Sequence, residues 1–353
     1  MLDKDFWASQ RVLLTGHTGF KGSWLALWLE SLGSQVVGFA LPPDQTPNLY
    51  SQIEPVARLQ SVIGDLRDLK AVEQAVERAR PTIVIHMAAQ ALVRRSYRAP
   101  LDTWATNLTG SLNLLEALRS SPDLAAVLVV TTDKVYLHSD RPKIFDEDDH
   151  LGGHDPYSAS KAALEIAVAS YAQSFFDERR IPVATARAGN VLGGGDWSED
   201  RLAPDVWRAV KSGEPIALRY PNATRPWQHV LDPLCGYLLF VERLVSDAAR
   251  VPRTLNFGPD EQTSQLTVKE VVETLASAIG GSRSWVAAAG PQPKEMEHLA
   301  LAIGRARDAL NWRPRLTTPR ALAWTAEWYR RFDHGERART LVVEQIARYQ
   351  TLR

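Results

Sequence analysis

The chain has 353 residues, 45% hydrophobic and 23% charged, which suits a large α/β unit with an added lobe and excludes a single small domain. Lys plus Arg and Asp plus Glu both total 41, so no overall field favours nucleic acid or an anionic membrane surface. A lone cysteine, Cys235, excludes an internal disulfide framework and fits a reducing, cytoplasmic setting, and no apolar run reaches the roughly 18 residues of a membrane span.

At the N-terminus, Asp3 and Asp5 stand where a signal peptide needs basic residues, so none is expected. Residues 12–14 read as a short strand closed by Thr15 and Gly16. Trp24, Leu25, Leu27, Trp28, Leu29 and Leu32 recur at helical spacing, and Gly33 supplies a stop. Further strands are expected at 35–39, 61–63, 82–85, 127–130 and 183–186. Helices are expected at 69–79, 102–119 and from Tyr157 onward, with residues 40–60 mainly loop. Strands that are apolar throughout and alternate with helices predict a parallel sheet covered on both faces, a doubly wound Rossmann-like fold.

From Val191 the texture changes to Gly193-Gly194-Gly195 and scattered Trp, Pro and Arg. A helix near 233–244 is regular enough to rejoin the core, and 265–353 reads as mainly helical. The expected division is a dinucleotide-binding domain at 1–191, rejoined by about 226–255. Residues 192–225 and 256–353 would form a smaller, discontinuous substrate-binding lobe. Eleven tryptophans point to bulky core and interface packing.

Gly16, Gly19 and Gly22 lie between a strand and a helix, where a backbone can approach a pyrophosphate and the helix N-terminus favours its charge. Their spacing, G-x-x-G-x-x-G, departs from the G-x-G-x-x-G fingerprint. Phe39 is followed by Ala40 and Leu41, so neither an acid nor an arginine marks the ribose, and NAD and NADP both stay open. Asp65, at the end of the third strand, could accept from an adenine amino group or cap a turn.

The stretch 127–161 carries the chemistry. An apolar strand delivers Thr131, Thr132, Asp133 and Lys134 at its C-terminal end. Tyr157 and Lys161, four apart, share a helix face. A tyrosine can act as a base near neutral pH when an ammonium and a nicotinamide cation favour its phenolate. Alone the Tyr/Lys pair is a weak signal; behind a glycine-rich turn and a strand ending in Thr it is strong.

Gly16-x-x-Gly19-Phe20-x-Gly22, Asp65-Leu66, His86-Met87-Ala88-Ala89, Asn107, Thr132 and Tyr157-x-x-x-Lys161 together resemble the extended short-chain dehydrogenase/reductase superfamily over nearly the whole chain. Within it the sequence resembles the nucleotide-sugar 4,6-dehydratases, most closely those acting on CDP-glucose. That likeness rests on residues 17–22, 86–90 with Val93-Arg94, Asp133-Lys134, 187–190 with 193–197, and 225–230. At 302–306 the chain departs from a helix start common among relatives, in a segment that reads as structural.

The resemblance implies hydride transfer from sugar C4 to nicotinamide, loss of water across C5 and C6, and hydride return to C6. Tyr157 would be the base at the 4-hydroxyl, Thr132 would hydrogen-bond that same oxygen, and Lys161 would be the supporting cation. Asp133 would be the acid for the leaving hydroxyl and Lys134 the base at C5. Relatives acting on dTDP-glucose resemble Asp-Glu here. A protonated lysine is no base, so Lys134 would need burial or nearby cations to favour its neutral form; its other reading is an ion pair with Asp146, Glu147 or Asp148.

Gly16, Thr18, Gly19, Phe20, Gly22, Asp65, Leu66, Ala88, Ala89, Asn107 and Thr131, with Tyr157 and Lys161, would hold the dinucleotide, expected to be NAD. Gln90 and Arg94 would reach the sugar or the cofactor, Asn190 would face the diphosphate, Arg219 and Arg225 would grip it, and Trp197, Arg201 and His229 would frame the nucleotide. The resemblance also implies a homodimer through the helices 102–119 and 157–175, and cell-surface deoxysugar synthesis such as lipopolysaccharide O-antigen. A 4-epimerase needs no elimination pair, and a non-catalytic nucleotide-sugar sensor needs no intact Thr/Tyr/Lys set. Scattered histidines give no metal-ligand spacing.

Overall fold

A computed structural model describes residues 2–137, 143–260, 266–282, 284–290 and 298–352. Seven parallel strands form the central sheet. Across it they run 254–257, 183–188, 126–130, 83–86, 11–15, 35–40 and 59–63. The first strand, Arg11–Thr15, pairs with both the second and the fourth, so the chain order reverses beside it. A crevice must open there at the strand C-terminal ends, because successive crossovers leave in opposite directions.

The interior strands Ile83–His86, Ala126–Val130 and Val183–Ala188 are buried along their whole length, as their apolar sequences predict. The edge strand Leu59–Ile63 departs from that expectation: it is half exposed, because only one neighbour covers it and Gln60 and Ser61 tolerate water. The segment after Val191 returns to the sheet through the helix Leu231–Asp247 and the strand Thr254–Phe257, which pairs with Val183–Ala188. Between and beyond lie short parallel pairings of 191–192 with 228–229, 216–218 with 285–287, and 144–145 with 300–301. The expected C-terminal helices appear as Val268–Ile279, Gly304–Leu310, Thr318–Asp333 and Ala338–Thr351; residues 265, 283, 291–297 and 353 of that span lie outside the described residues.

The single long helix expected at 102–119 is interrupted. Pro100–Trp104 passes through one π-helical turn, Ala105–Thr109, into Gly110–Leu118. A separate short helix, Val93–Arg98, precedes it. The extra residue in the turn rotates Asn107 inward, where it is fully buried.

One hydrophobic core lies on the face shared with the substrate-side elements and holds Trp7, Trp24, Trp28, Trp312 and Trp328. The other face is covered by Leu69–Ala79, Gly110–Leu118 and Pro156–Tyr171. Most of the tryptophan surplus thus goes into packing, as expected. The packing is close at Gly194, where a Cβ would stand 2.0 Å from the Trp328 ring. Gly194→Ala should therefore destabilise the protein by roughly 1–3 kcal/mol, the usual cost of overpacking, measured as a lower denaturant midpoint.

Candidate active site

A cleft of about 540 Å³ follows the C-terminal ends of the strands, from the glycine-rich turn to Arg219 and Arg225. Thr15 ends its strand, and Gly16 turns the chain with a φ of +78°, which favours glycine. A Cβ on Gly16 would lie 2.7 Å from the Ala88 nitrogen, and one on Gly22 only 2.0 Å from the Gly16 carbonyl oxygen. The turn is therefore a close-packed cradle at the start of the helix Phe20–Ser31, suited to a diphosphate. Gly16, Thr18, Gly19, Phe20 and Gly22 all line the cleft.

Two supports hold this turn. Thr18 Oγ1 donates to the Leu41 carbonyl at 2.9 Å, tying the turn to the end of the second strand. His17 lies beneath, 2.7 Å from Ser61 Oγ through Nε2, and burial lowers its pKa to about 4, so it packs as a neutral ring. Gly38 makes room for it: a Cβ there would stand 2.5 Å from the imidazole.

Asp65 and Leu66 line the far end. Asp65 is gripped by Arg67, whose Nη2 donates to Oδ2 at 2.6 Å and holds the carboxyl below its usual range. Arg67 also reaches Asp102. Ala88 and Ala89 form the opposite wall. Asn107, expected to touch the cofactor, instead braces that wall from behind. Its Oδ1 accepts from the Gln90 nitrogen, and its Nδ2 donates to the Gln90 carbonyl and Ser160 Oγ. Gln90, expected to reach the sugar or the cofactor, lines the cleft, and its side chain bonds Leu92 and Thr103.

At the centre, the strand Ala126–Val130 ends and the chain turns through Asp133–Val135. Thr132 and Tyr157 both line the cleft here, and the Thr132 hydroxyl donates to Asp133 Oδ1 at 3.1 Å. The helix carrying Tyr157 is started by Asp155, which accepts from the Ser158 nitrogen, with Pro156 at its first position. Lys161 Nζ donates to the Val130 carbonyl at 3.2 Å, and burial brings it down to about 8. Burial pushes Tyr157 up, opposed by Thr132 and the Arg201 charge, so the lowering expected of a base is not met by these residues alone.

Asp133 is 2% exposed, and its Oδ2 has no hydrogen-bond partner. Burial raises its pKa, with Lys134, Thr132 and Arg225 opposing, which favours the protonated acid. Lys134 lines the cleft beside it. The acids offered as its structural partners are engaged elsewhere: Glu147 accepts from the Asn256 nitrogen, Asp146 from the Asp148 nitrogen, and Asp148 pairs with Arg305. Thr131 also lines the cleft, its hydroxyl donating to the buried Glu165.

On the substrate side, Asn190, Trp197, Arg201, Arg219 and Arg225 line the cleft. Arg94 does too, and pairs with Asp200 at 2.6 Å. Trp197 is one wall of an aromatic cluster with Trp207, Trp328, Tyr329 and Phe332. His229 is not at the cleft. It is fully buried between Trp24 and Trp324, and burial lowers it to about 3, so it is a core residue. The two-residue strand 228–229 turns its side chain toward the helices, a direction the local sequence does not reveal.

Lys21 was given no role by its sequence context, yet it lines the cleft. Its Nζ donates to the Tyr237 hydroxyl at 3.1 Å. Burial, with Arg201 and Lys161, lowers it to about 7. Only its place inside the glycine motif could have flagged it. Among the described residues, no group of three or more His, Cys, Asp or Glu is placed to hold a metal ion.

The NAD dependent epimerase/dehydratase family model matches residues 12–258. The chain belongs to this family. CDP-glucose 4,6-dehydratase of Salmonella typhimurium is 38% identical to it over 341 residues, 95% of each chain. dTDP-glucose 4,6-dehydratase of Xanthomonas campestris is 29% identical, covering 90% of this chain and 92% of that one. The solved UDP-glucose 4-epimerase of Thermus thermophilus in complex with NAD superposes with a TM-score of 0.78 at 27% identity, covering 90% and 98%.

As a member of an NAD dependent family the protein takes NAD, and the glycine cradle fits it. Gly22→Ala should weaken NAD binding by about tenfold or more, since the added methyl must displace the Gly16 carbonyl; an equilibrium titration with NAD measures it. Among the described residues no helix is long and apolar enough to cross a membrane.

Proposed function

We propose that this protein is a CDP-glucose 4,6-dehydratase, a hydro-lyase that forms CDP-4-keto-6-deoxyglucose with no net change in NAD. The observation that carries the reading is the placement of two devices on one strand end. Thr132 faces Tyr157 in the cleft, and the next residue, Asp133, presents a buried carboxyl oxygen without a partner beside Lys134. The 38% identity over 95% of both chains supports the same substrate.

Tyr157 takes the proton of the sugar 4-hydroxyl, with Thr132 holding that oxygen. NAD, held by the glycine turn, would supply the hydride acceptor for C4 and the donor for C6, with Lys134 returning the C5 proton, and its oxidised form a positive charge that favours the Tyr157 phenolate. Lys161, held at the Val130 carbonyl, supplies the other positive charge. The resulting 4-ketone acidifies the C5 proton, which Lys134 takes as base. Asp133 gives its proton to the C6 hydroxyl, which leaves as water. Protonated Asp133 suits that step, because burial favours its neutral form. Arg219 and Arg225 grip the diphosphate, Asn190 donates to it, and Trp197, Arg201 and Arg94 border the nucleotide. Asp65 and Leu66 would border the adenine, and Ala88, Ala89 and Thr131, which also line the cleft, would help hold the dinucleotide.

A 4-epimerase uses Thr132, Tyr157 and Lys161 alone, and the acid pocket of Asp133 would then be idle. The test is a panel of CDP-, dTDP-, UDP- and GDP-glucose. The expected result is a 4-keto-6-deoxy product from CDP-glucose by mass spectrometry, without accumulating NADH. Turnover of another nucleotide-glucose with CDP-glucose inert overturns the assignment. The same reading makes the enzyme a cytoplasmic homodimer. Exposed Leu101, Ile166 and Phe175 on the two helices expected to pair support the dimer.

A further inference from the structure

We infer that Glu165, paired with Arg187, is a positioning residue for the redox step: it locks the strand end 130–132 against the helix that carries Tyr157 and Lys161. The inference rests on the roles just given to Tyr157 and Lys161.

Tyr157, Lys161 and Glu165 stand four residues apart in turn, on one face of the helix Pro156–Tyr171. Each engages a different residue of the same strand end. Tyr157 faces Thr132 in the cleft, Lys161 donates to the Val130 carbonyl, and Glu165 Oε1 accepts from Thr131 Oγ1. The helix therefore reads three consecutive strand residues. A shift of either element would break all three contacts together.

Glu165 is 5% exposed and does not line the cleft. Besides Thr131, it accepts from Thr185 Oγ1 at 2.7 Å and from Arg187 Nε and Nη2, each at 3.1 Å. Four donors from two strands leave the carboxylate one position. Arg187 is itself fixed, with Nη1 donating to the Tyr136 hydroxyl at 3.0 Å. Tyr136 in turn donates to Asn256 on the next strand. A buried ion pair is a poor device for stability alone, because desolvating both charges offsets much of their attraction. It is a good device for fixing geometry.

The charges around Lys161 give the pair its second role. Lys21 faces it from the glycine-turn helix, His86 from the fourth strand, and Tyr157 and Glu165 from its own helix. His86 is neutral, lowered to about 3 by burial, and Lys21 repels. Glu165 is the anion that opposes the burial of the Lys161 ammonium. Removing its charge lowers Lys161 further, so the ammonium is lost at a lower pH.

The experiment compares wild type, Glu165→Gln and Glu165→Asp with CDP-glucose and NAD from about pH 6 to 9. In Glu165→Gln the alkaline limb of kcat should move to lower pH, with kcat falling about fivefold near pH 8, and about tenfold well above it, for a shift of one unit and KM unchanged. Glu165→Asp keeps the charge but is one methylene shorter, so its limb should stay in place while kcat drops several-fold. A Glu165→Gln profile with the wild-type limb and only a lower Tm overturns the inference. Should that variant not fold, wild-type kcat in Glu165→Asp overturns it equally. If wild type does not turn over CDP-glucose, the proposed function fails. The Lys161 titration, followed by ¹⁵N NMR in wild type and Glu165→Gln, then decides the present inference without turnover.

Discussion

A Tyr157→Phe variant should show no NADH absorbance in a single turnover with CDP-glucose, and its kcat should fall by roughly 10²–10⁴, the range for losing a positioned proton acceptor. The substitution removes one oxygen from a residue 8% exposed, so the fold should survive and CDP-glucose should still bind. Thr132 stands beside that hydroxyl in the cleft, so Thr132→Val should weaken the same step. The pH dependence has a fixed sign. Burial has brought Lys161 down to about 8, so its ammonium is present below that pH and lost above it. The rate of C4 oxidation should accordingly decline as pH rises through about 8. Normal NADH formation in Tyr157→Phe would remove this residue from the chemistry.

The second large effect separates elimination from oxidation. Lys134→Ala and Asp133→Asn should both still oxidise C4, seen as NADH that accumulates because no 6-deoxy acceptor forms. Product by mass spectrometry should fall by roughly 10² or more in each. Asp133→Asn keeps the shape and the Thr132 contact but carries no transferable proton, and Gly189 leaves no space for a larger group: a Cβ there would already stand 3.2 Å from Asp133 Oδ2. Equal loss of oxidation and water loss in Lys134→Ala would return Lys134 to a structural role.

Where periodicity and chemistry coincide, the sequence was legible. The helix Leu69–Ala79 has its N-cap Asp68 and apolar stripe in plain view, and its bounds match the expected ones. The parallel sheet followed from strands too apolar to face water. The π-helical turn at 105–109 left no such mark, because nothing in Ala105–Thr109 breaks helical spacing; Asn107 is turned inward by its bonds to Gln90 and Ser160. Motif position placed Tyr157, Lys161, Asp133 and Thr132 near one another, since two adjacent elements suffice to carry them. It misjudged His229, where the direction of the side chain depends on distant Trp24 and Trp324. Glu165 and Lys21 went unremarked because burial, which gives each its meaning, is a tertiary property.

The strand Thr254–Phe257 lies at the sheet edge against Val183–Ala188, and the helix Ala338–Thr351 packs on Phe20–Ser31 and Leu49–Ile53. Arg339 seals that last contact by reaching Glu30 and the Ile53 carbonyl. During synthesis, then, the Val183–Ala188 edge stays unpaired until the substrate loops have emerged. The cofactor half cannot cover its outer face until the final helix arrives. Such distant pairings carry a heavy loop-closure cost and make for slow folding. The nascent chain therefore passes through a stage with an open strand edge and bare apolar helix faces, a stage at which chaperone capture or self-association competes with completion of the enzyme.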